Sequence, residues 1–250
     1  MTEKSEKPPL FIILPDNKIV NGHIFIDGEK YHHLASVKRV CIGDEVCVSL
    51  NSSELYFGSI INITPKKINI SVSNREIFNS TAKKTYIAIG LLKGEKMDIV
   101  VQKCTEVGID KIIPLAAKRS VAKWDNKTAK SKLERLNKIA LSAAEQSERA
   151  TVPLINPLTT LKDLLKNIDK QNTSILFFYE RHGTNIDDVK KNIPENNNIL
   201  IIIGPEGGWS EEEVDIINKN NAISVSLGGN ILRSETAAIA ASFVFSNHHS

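Results

Sequence analysis

Five consecutive apolar residues, Ile199 to Ile203, run straight into Gly204-Pro205-Glu206-Gly207-Gly208 and then into Trp209-Ser210 and three glutamates. A strand that is apolar at every position must be covered on both faces, which is the situation of a parallel sheet packed between helices. TYIAIGLL, DKIIPL, SILFFY and ISVSL have the same character. The windows between them carry helical spacing. Met97, Val100, Val101, Cys104 and Val107 form one stripe, and Leu133, Leu136, Ile139, Ala140 and Ala143 form another within a helix expected over 129–149. Shorter helices are expected near 159–168 and 211–220, with a last one from Ser234 to Ser246. These alternations predict an α/β domain over residues 85–250.

The front of the chain has a different period. FIIL, HIFI, DEVCVSL, LYFGSIINI and KINISV are short runs rich in β-branched and aromatic residues, separated by Gly, Asn, Asp and Pro. They predict a compact β module within residues 1–74, a small barrel because so many short strands must hide their edges. EKYHHLASVKRVCIGDEV lies among them as a brief helical turn ending at the Gly43-Asp44 turn signal. SNREIFNSTAKK has the composition of a connection, which places a linker at 75–84.

At 41% hydrophobic and 24% charged residues, the 250-residue chain is globular, with disorder expected only at the ends MTEKSEKPP and NHHS. LFIIL, which Pro15 follows at once, and ILIII are five-residue runs, far below the roughly twenty that cross a bilayer, so a cytoplasmic protein without membrane association is expected. Cys41, Cys47 and Cys104 form no CxxC pair, which suggests neither a disulfide framework nor a zinc site; the expectation is small buried residues in a reducing compartment. His32 and His33 are adjacent, point about 100° apart on a helix, and do not suit one metal ion. No metal site is expected.

Charge is unevenly distributed. Residues 1–150 carry 24 Lys and Arg against 17 Asp and Glu, net +7, and residues 151–250 carry 8 against 12, net −4. A basic front half suits a polyanionic partner. Lys38 and Arg39 in the front module, and the run containing Lys118, Arg119, Lys123, Lys127, Lys130, Lys132, Arg135 and Lys138, are candidate phosphate contacts; solvated charge is the alternative account of both.

Ligands of open parallel sheets bind beyond the carboxyl ends of the strands, where Gly204 to Gly208 stand. One glycine is explained by a tight turn, but three with a proline are not. The cluster is neither GxGxxG nor a Walker loop, and Glu206 inside it disfavours a triphosphate while remaining compatible with a cationic ligand. Ser210 and Glu213 have capping-box spacing, which accounts for the acids at 211–213 but not for Glu206. A second glycine loop, VSLGGNILRSETAAIAA, ends the next strand. There Ser234 is the expected cap of the last helix, and Arg233 and Glu235 stand at the loop-helix boundary.

Taken together, HHLASVKRVCIGDEV, KGEKMDIVVQKCTEVGIDKIIPLAAKRS, AAEQSERATVP, GPEGGWSEEE and LGGNILRSETA resemble the ribosomal small-subunit methyltransferase E family, over nearly the whole chain and in the family's order. The resemblance implies a PUA-like RNA-binding barrel followed by a SPOUT methyltransferase domain whose carboxyl-terminal chain is threaded into a trefoil knot. It also implies a homodimer, S-adenosylmethionine as methyl donor, and N3 of one uridine of 16S rRNA, free or within the 30S subunit, as target. Gly204, Glu206, Gly207 and Gly208 would line one side of the donor pocket and Leu227, Gly228, Ile231 and Leu232 the other, with Phe178 beneath. Arg233 would orient the uracil, and Glu206 or Glu235 would take its proton, although a cap bond to backbone is the other role open to Glu235. Lys38, Arg39, Lys118, Arg119, Lys123 and Arg149 would contact RNA, with Arg149 open also to the dimer partner. Departures from the family's usual pattern are Asn230 for arginine, Gly229 for proline, Val107 for leucine, Trp209 for a smaller apolar residue or phenylalanine, and Ser234 for threonine. Two rival classes remain at this point: a non-catalytic RNA-binding protein on the same scaffold, favoured by Asn230 alone, and a nucleotide-dependent metabolic enzyme, which only fold analogy supports.

Overall fold

The computed structural model describes residues 10–14, 19–77, 83–125, 127–179 and 183–246. Both chain ends singled out above, Pro15 and the middle of the linker lie outside them. The chain forms two compact units, one of residues 1–80 with 144–151 and one of 81–143 with 152–250.

In the first unit, β1 (Leu10–Ile13), β2 (Ile19–Val20), β3 (His23–Ile26), β4 (Glu45–Ser49), β5 (Glu54–Thr64) and β6 (Lys67–Ile77) form one sheet in the order β1-β4-β5-β6-β3-β2. All neighbours are antiparallel except β1 and β4. Alternate residues Ile68 and Ile70 of β6 turn inward onto Ile24, Ile26, Val46, Val48 and Ile60. Bulges between β5 and β6 bend the pair, and at one of them Gly58 lies so close to Ser71 that an added Cβ would stand 2.1 Å from the Ser71 carbonyl oxygen. The expected barrel is not closed by pairing of β1 with β2 among the described residues. The short helix α1 (Gly28–His32) continues as a π-type turn over His33–Lys38 and stops at Arg39, which adopts a left-handed conformation at φ 52°.

The stretch expected to be a linker from residue 75 is partly strand. Glu54, Leu55 and Tyr56 pair with Ile77, Glu76 and Arg75, so β5 holds β6 in extended form three residues into it. Residues 144–151 belong to this unit because Glu145 accepts the Ile13 N–H at 2.9 Å and pairs with Lys30, and because the Ser49 hydroxyl donates to the Ala150 carbonyl.

The second unit has a seven-stranded sheet in which every pair is parallel. Its strands are β7 (Thr85–Gly90), β8 (Lys111–Leu115), β9 (Leu154–Ile155), β10 (Thr173–Phe178), β11 (Thr184–Asn185), β12 (Asn198–Ile203) and β13 (Ile223–Ser226), in the order β11-β13-β10-β12-β7-β8-β9. The uninterrupted apolar run is explained by its two faces. Ile199, Ile201 and Ile203 enter one core with α2 (Lys96–Glu106), α3 (Ala129–Gln146), α5 (Ile186–Asn192) and α7 (Ser234–Phe245). Leu200 and Ile202 enter the other with α4 (Leu161–Asn167) and α6 (Glu211–Asn218).

Three local expectations change. The α3 helix ends at Gln146 rather than at 149, because Glu148 turns left-handed at φ 55° and the Arg149 N–H closes the end on the Ala144 carbonyl at 2.9 Å. Strands β9 and β11 and helix α5 were not expected, being too short to register as periodic. Ser234 does not cap α7: it is the first helical residue, and Arg233 occupies the cap position without a side-chain cap bond. Among the described residues no helix is long and apolar enough to cross a membrane.

Two of the three cysteines match the expected burial. Desolvation pushes the Cys104 thiol up to about 12, against a hydrogen bond with Ser242, and pushes Cys47 up to about 11 with help from Glu148 and Glu76. Cys41 is exposed, because it lies in the Gly43-Asp44 turn with its N–H bonded to Asp44. In the native protein at pH 8, a maleimide or disulfide reagent should therefore label Cys41 alone, and mapping of modified peptides should show Cys47 and Cys104 only after denaturation.

Candidate active site

The loop after β12 is shaped by close approaches of backbone. A Cβ on Gly207 would lie 2.7 Å from the Arg119 carbonyl oxygen, one on Gly204 3.0 Å from the Trp209 indole nitrogen, and one on Gly90 2.6 Å from Pro205 Cδ. Gly208 has φ 68°, and its N–H closes a turn on the Pro205 carbonyl at 2.9 Å. These glycines bring the ends of β7 and β12 and the segment after β8 together with no side chain between them. Gly90 was not singled out from sequence, since a lone strand-end glycine is unremarkable until its neighbour is known.

The loop is anchored by Glu213. Its Oε2 accepts the Ser210 N–H and hydroxyl at 2.9 and 2.8 Å, completing the expected capping box. Its Oε1 accepts the Lys118 N–H at 2.8 Å, which fastens Lys118-Arg119-Ser120 beside the loop. Glu213 is 4% exposed, so these bonds offset the cost of burying its carboxylate.

A cavity of about 290 Å³ opens here, near the lower limit for small-ligand sites. Phe178, Gly204, Glu206, Gly207, Gly208 and Leu232 all line it, which brings together six of the nine residues expected to bind a cofactor. Leu227, Gly228 and Ile231 are not among its walls. Leu227 packs partly into the core, Gly228 makes the turn at φ 117°, and Ile231 is 67% exposed. Tyr179, Arg119 and Trp209 are also part of the wall. The Trp209 indole N–H and the Ser120 hydroxyl are buried and find no partner among the described residues.

Glu206 and Glu235, expected as proton acceptors, are joined by a residue that sequence reasoning passed over. The Lys96 ammonium lies 3.2 Å from Glu206 Oε1 and 3.5 Å from Glu235 Oε2. The same Glu206 oxygen accepts the Lys93 N–H at 3.2 Å. Burial raises the Glu206 carboxyl, but bonds from its own N–H, the Lys93 N–H and Lys96 outweigh it and hold the group below the ordinary carboxylate range. Among the described residues the tie of Glu235 is to Lys96. A signal for Lys96 did exist: it is the first residue of α2, where a cation opposes the helix dipole and calls for an acidic partner elsewhere.

Arg233 is exposed and makes no ion pair among the described residues. Of the candidate RNA contacts, Lys38, Arg39 and Lys123 are exposed, Arg149 is partly buried, Arg119 is at the cavity, and the Lys118 ammonium is paired with Glu212. Part of the basic run is similarly engaged: Arg135 pairs with Asp98, and Lys132 lies 5.8 Å over the Trp124 ring.

Residues 79–246 match the model of the RNA methyltransferase domain, and residues 26–73 that of the RNA methyltransferase PUA domain. The ribosomal RNA small subunit methyltransferase E of Bacillus subtilis is 35% identical over 92% of this chain and 93% of its own length. The chain belongs to the ribosomal RNA small subunit methyltransferase E family. The Rickettsia conorii member is 34% identical over 84% of this chain and 83% of its own. Among solved structures, a putative methyltransferase from Legionella pneumophila in complex with the bound cofactor SAM is similar at a TM-score of 0.84, with 26% identity over 95% of this chain and 97% of that one.

Replacing Gly207 with Ala should disrupt the site without unfolding the domain. The Cβ would have to displace the Arg119 carbonyl. We expect at least about tenfold weaker S-adenosylmethionine binding by calorimetry with an unchanged far-ultraviolet spectrum.

Proposed function

We propose that the chain transfers a methyl group from S-adenosylmethionine to N3 of a specific uridine of 16S rRNA, working in the cytoplasm as a homodimer whose carboxyl-terminal chain forms a trefoil knot. Membership of the family makes it an S-adenosylmethionine-dependent rRNA methyltransferase. The observation that carries the reading is the cavity beyond the end of β12, which Gly204, Gly207 and Gly208 line and where Glu206 supplies negative charge for a cationic donor. The residues present fit that donor, because Glu206 brings a carboxylate to the cavity wall and the orphaned Trp209 N–H awaits an acceptor. The knot is supported by chain path: α7 follows β13, on the far side of β10, yet packs on β12, β7 and α2.

S-adenosylmethionine, when bound, supplies an electrophilic methyl group on a cationic sulfur, attacked in line by the acceptor. Uridine N3 is a poor nucleophile until its proton leaves. Arg233, which makes no ion pair among the described residues and stands at the N-cap of α7, is suited to hold a uracil oxygen and stabilise the negative charge that develops there. Glu235 is the better proton acceptor of the two carboxylates. Glu206 is occupied by two backbone N–H groups and Lys96, which make it a weak base, whereas Glu235 has Lys96 at 3.5 Å and an otherwise unbonded buried Oε2. Gly204, Glu206, Gly207, Gly208, Leu232 and Phe178 hold the donor, with Leu227, Gly228 and Ile231 shaping the opposite loop. Lys38, Arg39, Lys123, Arg119 and Arg149 contact RNA phosphates, and Lys118 does so only by exchanging Glu212 for phosphate. With Asn230 uncharged, the cationic contact of this loop falls to Arg233.

Methylation of 30S particles from a strain lacking its own enzyme, followed by mapping of the base, tests the target; a product other than N3-methyluridine refutes it. Arg233→Ala should lower the rate at saturating RNA by about 100-fold while leaving donor affinity unchanged.

Dimerisation is supported by apolar surface on the packed pair α2 and α7, where Ile99 and Phe243 are 42% and 62% exposed. Sedimentation should give a dimer for the wild type, and Phe243→Asp should weaken association by at least about tenfold without unfolding the chain.

A further inference from the structure

The three side chains that meet at Glu206, one of the residues lining the cavity, do not balance in charge. Glu206 and Glu235 bring two carboxylates, and Lys96 brings one ammonium to both, at 3.2 and 3.5 Å. They arrive from three elements: the loop after β12, the first turn of α7, and the first residue of α2. All three are shielded, with side-chain exposures of 25%, 15% and 32%, so solvent screens them only in part. A single lysine shared by two acids leaves one formal negative charge at the edge of a cavity that Glu206 itself lines.

That surplus has a chemical counterpart. The methyl donor and its demethylated product, S-adenosylhomocysteine, share the adenosine and the amino-acid end, and they differ by the methyl group and one positive charge at sulfur. Whatever the charge of the rest of the lining, which includes Arg119, the surplus negative charge of this cluster favours the donor over the product. The preference disappears once the sulfur is neutral, which promotes product release. We propose that Lys96 is a positioning residue that sets the charge of this cluster, and that the Glu206-Lys96-Glu235 arrangement discriminates the methyl donor from S-adenosylhomocysteine. The inference rests on the donor-pocket reading above. Lys93, Arg119 and Arg233 also stand at or near the cavity, but they are the same in every variant below and leave the direction of each change untouched.

The test is the ratio of dissociation constants for S-adenosylhomocysteine and S-adenosylmethionine, measured by calorimetry without RNA at pH 8 in low salt. A general loss of pocket shape weakens both ligands and cancels in the ratio, whereas charge does not. Lys96→Met, which uncovers a second carboxylate, should raise the ratio by about three- to tenfold. Glu235→Gln, which removes one, should lower it by a similar factor, and Lys96→Arg should restore the wild-type value. Added salt should shrink both shifts. Should Lys96→Met fail to fold, Glu235→Gln carries the test. A ratio that moves less than about twofold on Glu235→Gln, or moves the opposite way in either variant, overturns the proposal while leaving the pocket intact. If the wild type binds neither ligand, the donor-pocket reading falls and this inference with it.

Discussion

Everything at the site depends on backbone meeting backbone where no Cβ fits. At Gly90, Gly204 and Gly207 an ordinary side chain would collide with Pro205, Trp209 or Arg119, at 2.6 to 3.0 Å. Because these positions are bare, the ends of two neighbouring parallel strands and the segment after a third converge to form a cavity. The buried carboxylate of Glu213 then fixes the arrangement from the other side, tying the start of α6 to the Lys118 backbone. A loop with larger residues at these points would have to move outward, and the cavity wall would go with it.

The electrostatics follow from that packing. Once Pro205 is held against Gly90, Glu206 is brought beside the start of α2, where the Lys93 N–H and Lys96 reach it. The packing of α7 on α2 brings Glu235 to the same ammonium. Three regions far apart in sequence thus share one charge cluster, whose members differ in what they can still do. Among the described residues Glu206 is saturated with donors, Glu235 is not, and Arg233 makes no ion pair.

Much of the architecture was legible in residue patterns. The run Ile199–Ile203 implied a strand covered on both faces, and its alternate residues do enter two separate cores. The capping box at Ser210 and Glu213 was readable because it is made of two residues three apart. Where sequence reasoning went astray, the local pattern admitted a second outcome. Residues 75–77 resemble a linker but are held as strand by β5, and Ser234 resembles a cap but lies inside the helix. Cys41 is an ordinary small residue that a tight turn leaves outside. The short elements β9, β11 and α5 carry too few residues for any period to show.

The sequence by itself determined the two-part organisation, the parallel sheet, the family and the two loops that face the cavity, because each of these is written in local periodicity or in contiguous motifs. Only the tertiary structure decided that residues 144–151 count with the first unit, that Ile231 is exposed while Leu232 lines the cavity, and that Lys96 joins Glu206 to Glu235. The physical reason is that contacts between residues far apart in sequence leave no trace in local spacing. The hydrogen bonds and ion pairs of Glu145 and of Lys96 span more than a hundred positions, and which of Ile231 and Leu232 faces the cavity becomes visible only when packing brings the chain together.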